Sequence, residues 1–386
     1  MRRLGMGLGL CFALTLAACA SEEPQVQQAA ATERPAVQMN DVSVLWPLPQ
    51  ADDGDALLSP EGLLSAEDYE AAFGAPGSHQ AGGTPAAPHL EGLRVVAMRL
   101  DPCAGAIHDR CQPELRLVFQ PVREGSSGYE ADDTAVHAFY ALTADALEEM
   151  VARLVELRRV GGDEPLGGLA PHPRMVAEGL AGDFAMGLSE LVREMAPPGR
   201  LHRLTLMTNS AFGNAWNFSG VDFGPDGEIT RIAMPHLPAG TEVASFFVGF
   251  QGDFGGEPPF SPATSGPDDL QLLGNEHVAG RATESERAEA FAALLRIEDP
   301  SLHDPDTTDC ASCHAAHPLR QLVAEAQFGF ETPALNSPLV PIEDLAELHG
   351  EDATVNLHMF SYKGRTASIH RRTVAETAAV IRSLSD

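Results

Sequence analysis

The chain has 386 residues, with 25 Lys and Arg against 55 Asp and Glu, giving a formal charge of −30. So acidic a chain repels phosphate backbones and anionic lipid. That argues against nucleic-acid binding and against electrostatic docking on a membrane, and any charge-steered partner should carry a basic face.

Arg2 and Arg3 precede an apolar run from Leu4 to Ala18, a positive n-region with an h-region too short to stay in a bilayer. The run closes on Leu16-Ala17-Ala18-Cys19, which resembles a bacterial lipobox. The resemblance implies a signal peptide over 1–18, cleavage before Cys19 and acylation of that cysteine. Ala20 in place of Asp implies sorting to the outer membrane, facing the periplasm. A plain secretory signal with a spare cysteine is the alternative. No later segment has enough uninterrupted apolar residues for a spanning helix. Cleavage would remove Arg2 and Arg3, leaving 25 − 2 = 23 basic against 55 acidic residues, or −32.

Residues 19–40, rich in Gln, Ala, Glu and Pro, read as a disordered tether. Over 41–90 an irregular arm carries one short helix from Ser65, its cap, to Phe73, stopped by Gly74. Leu93–Leu100 and Leu115–Phe119 read as the strands of a hairpin. Cys103 and Cys111 lie in its loop, and a disulfide between them is expected in an exported chain. Apolar residues at helical spacing predict a helix over Thr143–Val160, with Glu149 and Arg153 as an outward i,i+4 pair, and a second over Leu180–Met195. Strands follow at Leu204–Met207, Phe212–Phe218, Ile229–Met234 and Val243–Phe250, with Gly224–Gly227 as a turn. Phe212, Trp216 and Phe218 share one face, as sheet core or as the lining of a cofactor pocket. Thr283 to Glu286 is a capping box opening a helix that Pro300 ends. Further helices are expected over Pro341–Leu348 and from a Thr373–Glu376 capping box to Leu384, with Asn356–Tyr362 extended.

The chemistry concentrates in Cys310-Ala311-Ser312-Cys313-His314, followed by His317. Two cysteines three apart, with histidine directly after the second, is the attachment pattern of c-type haem. With 6 Cys and 14 His in the chain, random placement gives about 0.003 such motifs, so composition alone does not account for it. At these five residues the chain resembles the c-type cytochromes. The resemblance implies haem c held through thioethers to Cys310 and Cys313, with His314 as the proximal iron ligand. Attachment outside the cytoplasm agrees with the export signal. The order of helix, motif, methionine and terminal helix matches class I cytochromes, although a proline-bearing loop separates the first helix from Cys310. Met359 is then the candidate distal ligand, without the preceding proline common in that family. His358 is the alternative, with His349, His370, His303 or an open site behind it, and Met359 as a core residue is the plain reading. His358 and Met359 are adjacent on an extended segment, so at most one of them can face the iron. His317 reads as a surface residue or propionate contact. Arg371 and Arg372, in a basic cluster with Arg365 and His370, could hold haem propionates; a solvated helix start is the alternative.

Two other uses of the motif compete. Zinc on Cys310, Cys313, His314 and His317 would crowd four ligands into eight residues. A thioredoxin-like dithiol would follow a buried strand, and none is read before Asp309. The expected architecture is α+β: a mixed domain over 41–280, then a small, mostly helical cytochrome c-like module over 281–386. The expected function is that of a lipid-anchored mono-haem cytochrome for one-electron transfer or redox sensing, working with a redox partner protein. A haem-free binding lipoprotein with a Cys310–Cys313 disulfide is the alternative, and an open-site haem peroxidase a further one.

Overall fold

The computed structural model describes residues 37–50, 53, 56–74, 87–102, 112–162, 166–209, 215–247, 264, 268, 270–274, 276–333 and 355–385. Cys19, Cys103, Cys111, Phe212, His349 and the helix expected at Pro341–Leu348 lie outside them.

In chain order the elements are α1 (Met39–Val42), β1 (Ser43–Leu45), α2 (Ala66–Phe73), β2 (Leu93–Asp101), β3 (Glu114–Gly125), β4 (Gly128–Ala131) and β5 (Ala135–Ala141). There follow α3 (Ala144–Val160), α4 (Pro173–Glu178), α5 (Asp183–Met195), β6 (Leu201–Asn209), β7 (Ala215–Phe223), β8 (Ile229–Arg231) and β9 (Ala244–Phe247). The last are α6 (Gln271–Gly274), α7 (Glu276–Arg281), α8 (Glu284–Ile297), α9 (Cys310–Leu319), β10 (Phe360–Lys363), β11 (Thr366–Ile369) and α10 (Arg371–Ser385). The α+β class expected from the sequence is therefore observed.

Local chemistry explains several boundaries. Ser65 caps α2 by accepting from the Asp68 amide, and Gly74 ends it at φ 79°, a conformation that favours glycine. Thr143 caps α3. The Thr283–Glu286 capping box forms as expected, each side chain bonding the other's backbone N–H. The second expected box does not form. α10 starts at Arg371, and Thr373 turns its hydroxyl to the Met359 carbonyl instead.

The main sheet runs β1-β2-β3-β5-β6-β7, with β8 and β9 both on the far edge of β7 and β4 on the end of β3. All these pairings are antiparallel. The expected β2–β3 hairpin is thus two neighbouring strands of a larger sheet. Register assigns its two faces. One carries Met98, Leu117, Ala138, Leu204 and Val221 in a cross-strand row, all buried. On the other, Arg99, Arg116, Phe139, Arg203 and Asp222 form one row, and Ala97, Val118, His137, Thr205 and Gly220 form the next.

This second face is covered by the C-terminal part of the chain. Glu376 of α10 accepts from Arg99 at 2.6 Å. The β10–β11 hairpin docks through Gln120, whose carboxamide bonds both the carbonyl and the N–H of Tyr362, at 2.8 and 2.9 Å. Helix α9 lies over β5 and β7, with the His314 ring against His137 and Phe218. Residues 36–386 form one compact unit, and the segment from 281 onward contributes Phe291, Leu294, Ala315 and Val374 to the same core as the sheet.

Candidate functional site

The motif occupies the first turns of α9. Asp309, fully buried, caps the helix by accepting from the Ala311 and Ser312 amides at 2.8 and 3.2 Å. Its other oxygen accepts from the Ser312 hydroxyl at 2.6 Å. A helix started at this point sets Cys310, Cys313 and His314 on one face at i, i+3 and i+4. These three side chains are half-buried, whereas Ala311, Ser312, Ala315 and Ala316 between and after them are buried. The three motif residues are thus the less buried face of an otherwise enclosed helix. Pro318 lacks the N–H that would bond the His314 carbonyl, and the chain widens into a π-type turn over Arg320–Glu325.

His314 is held at one nitrogen. Its Nδ1 lies 2.6 Å from the Leu357 carbonyl, and because a carbonyl only accepts, Nδ1 carries the proton. Burial, and then the charges of His358 and Arg372, outweigh the opposing hydrogen bond and hold the imidazole neutral, with its pKa at about 4. Nε2 is left with its lone pair, the arrangement by which metal-ligating histidines are oriented. The ring packs on Phe218, centroids 4.8 Å apart and tilted by 45°, so one of the two described aromatics expected on this strand faces the motif. Both motif thiols are free. Burial, and then the Asp309 charge, push Cys310 up to about 12, and burial raises Cys313.

His317, expected at the surface, is buried instead. It bonds Glu298 at 2.8 Å through Nδ1 and stacks on His370, centroids 4.3 Å apart. Arg320 completes this cluster with a 2.6 Å bond to Glu298. Burial works to raise the Glu298 pKa, but His317 and Arg320 hold the carboxyl at about 2. Among the described residues no group of three or more His, Cys, Asp or Glu comes together to hold a metal ion, so the Cys310, Cys313, His314 and His317 zinc set does not assemble.

The other expected site residues divide. Both ring nitrogens of His358 are engaged: Nε2 with Asp133 at 2.8 Å and Nδ1 with the Ser361 hydroxyl at 3.0 Å. Asp133 also accepts from Trp216 at 3.1 Å and Asn209 at 2.7 Å. Burial opposes ionisation there, yet these donors, His358 foremost, hold Asp133 at about 2. His358 is therefore a structural tie between the hairpin segment and the entry to β5. Ser361, His358 and Asp133 connect in the order of a hydrolytic triad, but Ser361 is only 2% exposed, which leaves no path for a substrate to its hydroxyl. Arg372 spends its guanidinium on Glu376, the Ile297 carbonyl and the His303 carbonyl, each at 2.7 Å, so it is not available to a propionate. Arg371 is half-buried and bonds the Pro333 carbonyl at 2.8 Å. His303 bonds Asp268 at 2.8 Å, and His370 is buried under His317. Met359 is half-buried, its carbonyl accepting from the His370 amide at 2.8 Å and from Thr373 at 3.0 Å.

One residue at the site was missed by sequence reasoning. His137 of β5 faces His314, ring centroids 6.3 Å apart and tilted by 31°. The available signal was the short stretch Ala135–Ala141, where Val136, Phe139 and Tyr140 accompany one histidine. Comparison with family models, with characterised proteins and with solved structures finds no match.

Proposed function

We propose that the chain is a mono-haem c-type cytochrome, carrying its haem on Cys310, Cys313 and His314 and transferring single electrons. The observation that carries this reading is the pairing of two free thiols with an imidazole oriented through Nδ1 on the Leu357 carbonyl, all on the half-buried face of one helix. The donor set suits the group: two neutral thiols for its vinyl edges and a neutral imidazole nitrogen for its iron. When bound, haem supplies a one-electron couple whose potential depends on axial ligation and burial. The chain's own part is to orient His314, to keep its ring unprotonated, and to exclude water from that side with Phe218. Arg371 remains the candidate for a propionate. The protein would be tethered through lipid on Cys19 to the periplasmic side of the outer membrane and exchange electrons with a basic partner, since the chain carries −30.

The test is expression in a periplasm equipped for cytochrome c maturation, followed by an absorption spectrum of the denatured, reduced protein and an intact mass. Covalent haem, lost when Cys310 and Cys313 are both replaced by Ala, is the expected result. A wild-type protein without covalent haem refutes the reading.

A further inference from the structure

Resting on that reading, we infer that His137 is the second axial ligand of the haem iron, facing His314 across it. The reading of the motif left the distal side open, with Met359 and His358 as candidates. His358 has no free ring nitrogen, and Met359 lies beside it on the short segment leading into β10. His137 differs from both. It sits on the central strand β5, half-buried, and none of the described residues offers either of its ring nitrogens a hydrogen bond. Both nitrogens are therefore available to a ligand.

The spacing agrees with shared coordination. Metal–imidazole bonds of about 2 Å put the centres of two rings facing each other across one ion roughly 6 Å apart, and the observed separation is 6.3 Å. The strand places His137 rigidly. Val118 and Thr205 flank it in the paired strands, and the loop entering β5 is anchored by Asp133 on His358, Trp216 and Asn209.

Two imidazoles held by a strand and a helix fill both axial positions with nitrogen. Such a centre needs little rearrangement on changing oxidation state and offers no position to peroxide or carbon monoxide. An electron carrier then follows, and an open-site peroxidase does not.

The test uses the holoprotein. Near-infrared magnetic circular dichroism and electron paramagnetic resonance of the oxidised wild type should report a low-spin iron with two nitrogen axial ligands. Sulfur ligation or a high-spin iron would overturn the inference without any variant being made. H137A should keep its covalent haem, lose the low-spin signature, bind carbon monoxide at least tenfold faster, and recover the low-spin spectrum on addition of imidazole. M359L should leave the spectrum unaltered. Haem present with an unaltered H137A spectrum overturns the assignment of His137 alone. Absence of covalent haem in the wild type overturns the cytochrome reading and this inference with it.

Discussion

His172 offers a test of how strongly the fold holds a neutral imidazole. It stands at the entry to α4, fully buried, with its amide on the Leu45 carbonyl at 2.8 Å and its ring stacked on Phe184, centroids 4.2 Å apart and 12° from parallel. Neither ring nitrogen has a hydrogen-bond partner. Burial, and then the charge of Arg174, depress its pKa to about 3, against about 6.5 in an unfolded chain. Above about pH 6.5 the ring is neutral in both states, and titration there does not change stability. As pH falls from about 6.5 toward 3, the unfolded chain takes up a proton that the folded chain refuses, so stability is progressively lost. The loss is about 1.4 kcal/mol per pH unit, or roughly 2 kcal/mol between about pH 7.5 and pH 5. His172→Phe keeps the stack and removes the titrating group. Urea unfolding of both proteins at these two pH values cancels every other titrating group. The variant should lose roughly 2 kcal/mol less than the wild type on acidification, and it should be no less stable at pH 7.5, because an unpaired buried polar group has been removed. Parallel pH dependences would refute the argument that burial keeps this ring neutral.

Other outcomes follow from the same structure. Asp133→Asn should cost roughly 1–3 kcal/mol at neutral pH, because His358, Trp216 and Asn209 lose an ionised acceptor; urea unfolding measures it. The wild-type contribution is present above about pH 4 and is lost as pH falls toward about 2, so the variant's stability should decline less steeply over that acid range. Gly220→Ala should cost roughly 1–3 kcal/mol, since its Cβ would stand 2.8 Å from Ile232 Cδ1 and 2.9 Å from both the Leu204 carbonyl and Thr205 Cγ2. An unchanged melting temperature would show that the strands can part there without penalty.

Elements whose rules are local were legible in the sequence. The Thr283–Glu286 box, the Ser65 cap and the β2–β3 pair each depend on residues close in the chain. β5 was not. Val136, Ala138 and Tyr140 face one buried layer, while His137 and Phe139 are half-covered on the other. With both faces apolar or covered, the run loses the alternation that marks a strand. β1, only three residues long and wholly buried, carries no periodicity at all. The Thr373–Glu376 pair matches a capping box, yet Glu376 answers to Arg99 and Arg372 instead, a tertiary demand that spacing does not record. The same holds at the site. His314 was found from its neighbours in sequence, but the Leu357 carbonyl that orients it and His137 opposite come from distant strands and loops, visible only once the sheet assembles.

The two ends of the compact unit meet. Ser43 of β1 and Thr377 of α10 share a 2.7 Å hydroxyl contact inside the core, and the motif helix lies under the cover that this last stretch of chain helps to form. A chain emerging from its N-terminus can therefore build the sheet but cannot close its second face until its final residues are free. Contacts this remote in sequence form slowly. Until then Arg372 and Glu376, the α10 charges that stand near Cys313, are missing from its surroundings, so covalent chemistry on that half-buried thiol meets a more open site before α10 docks than after it.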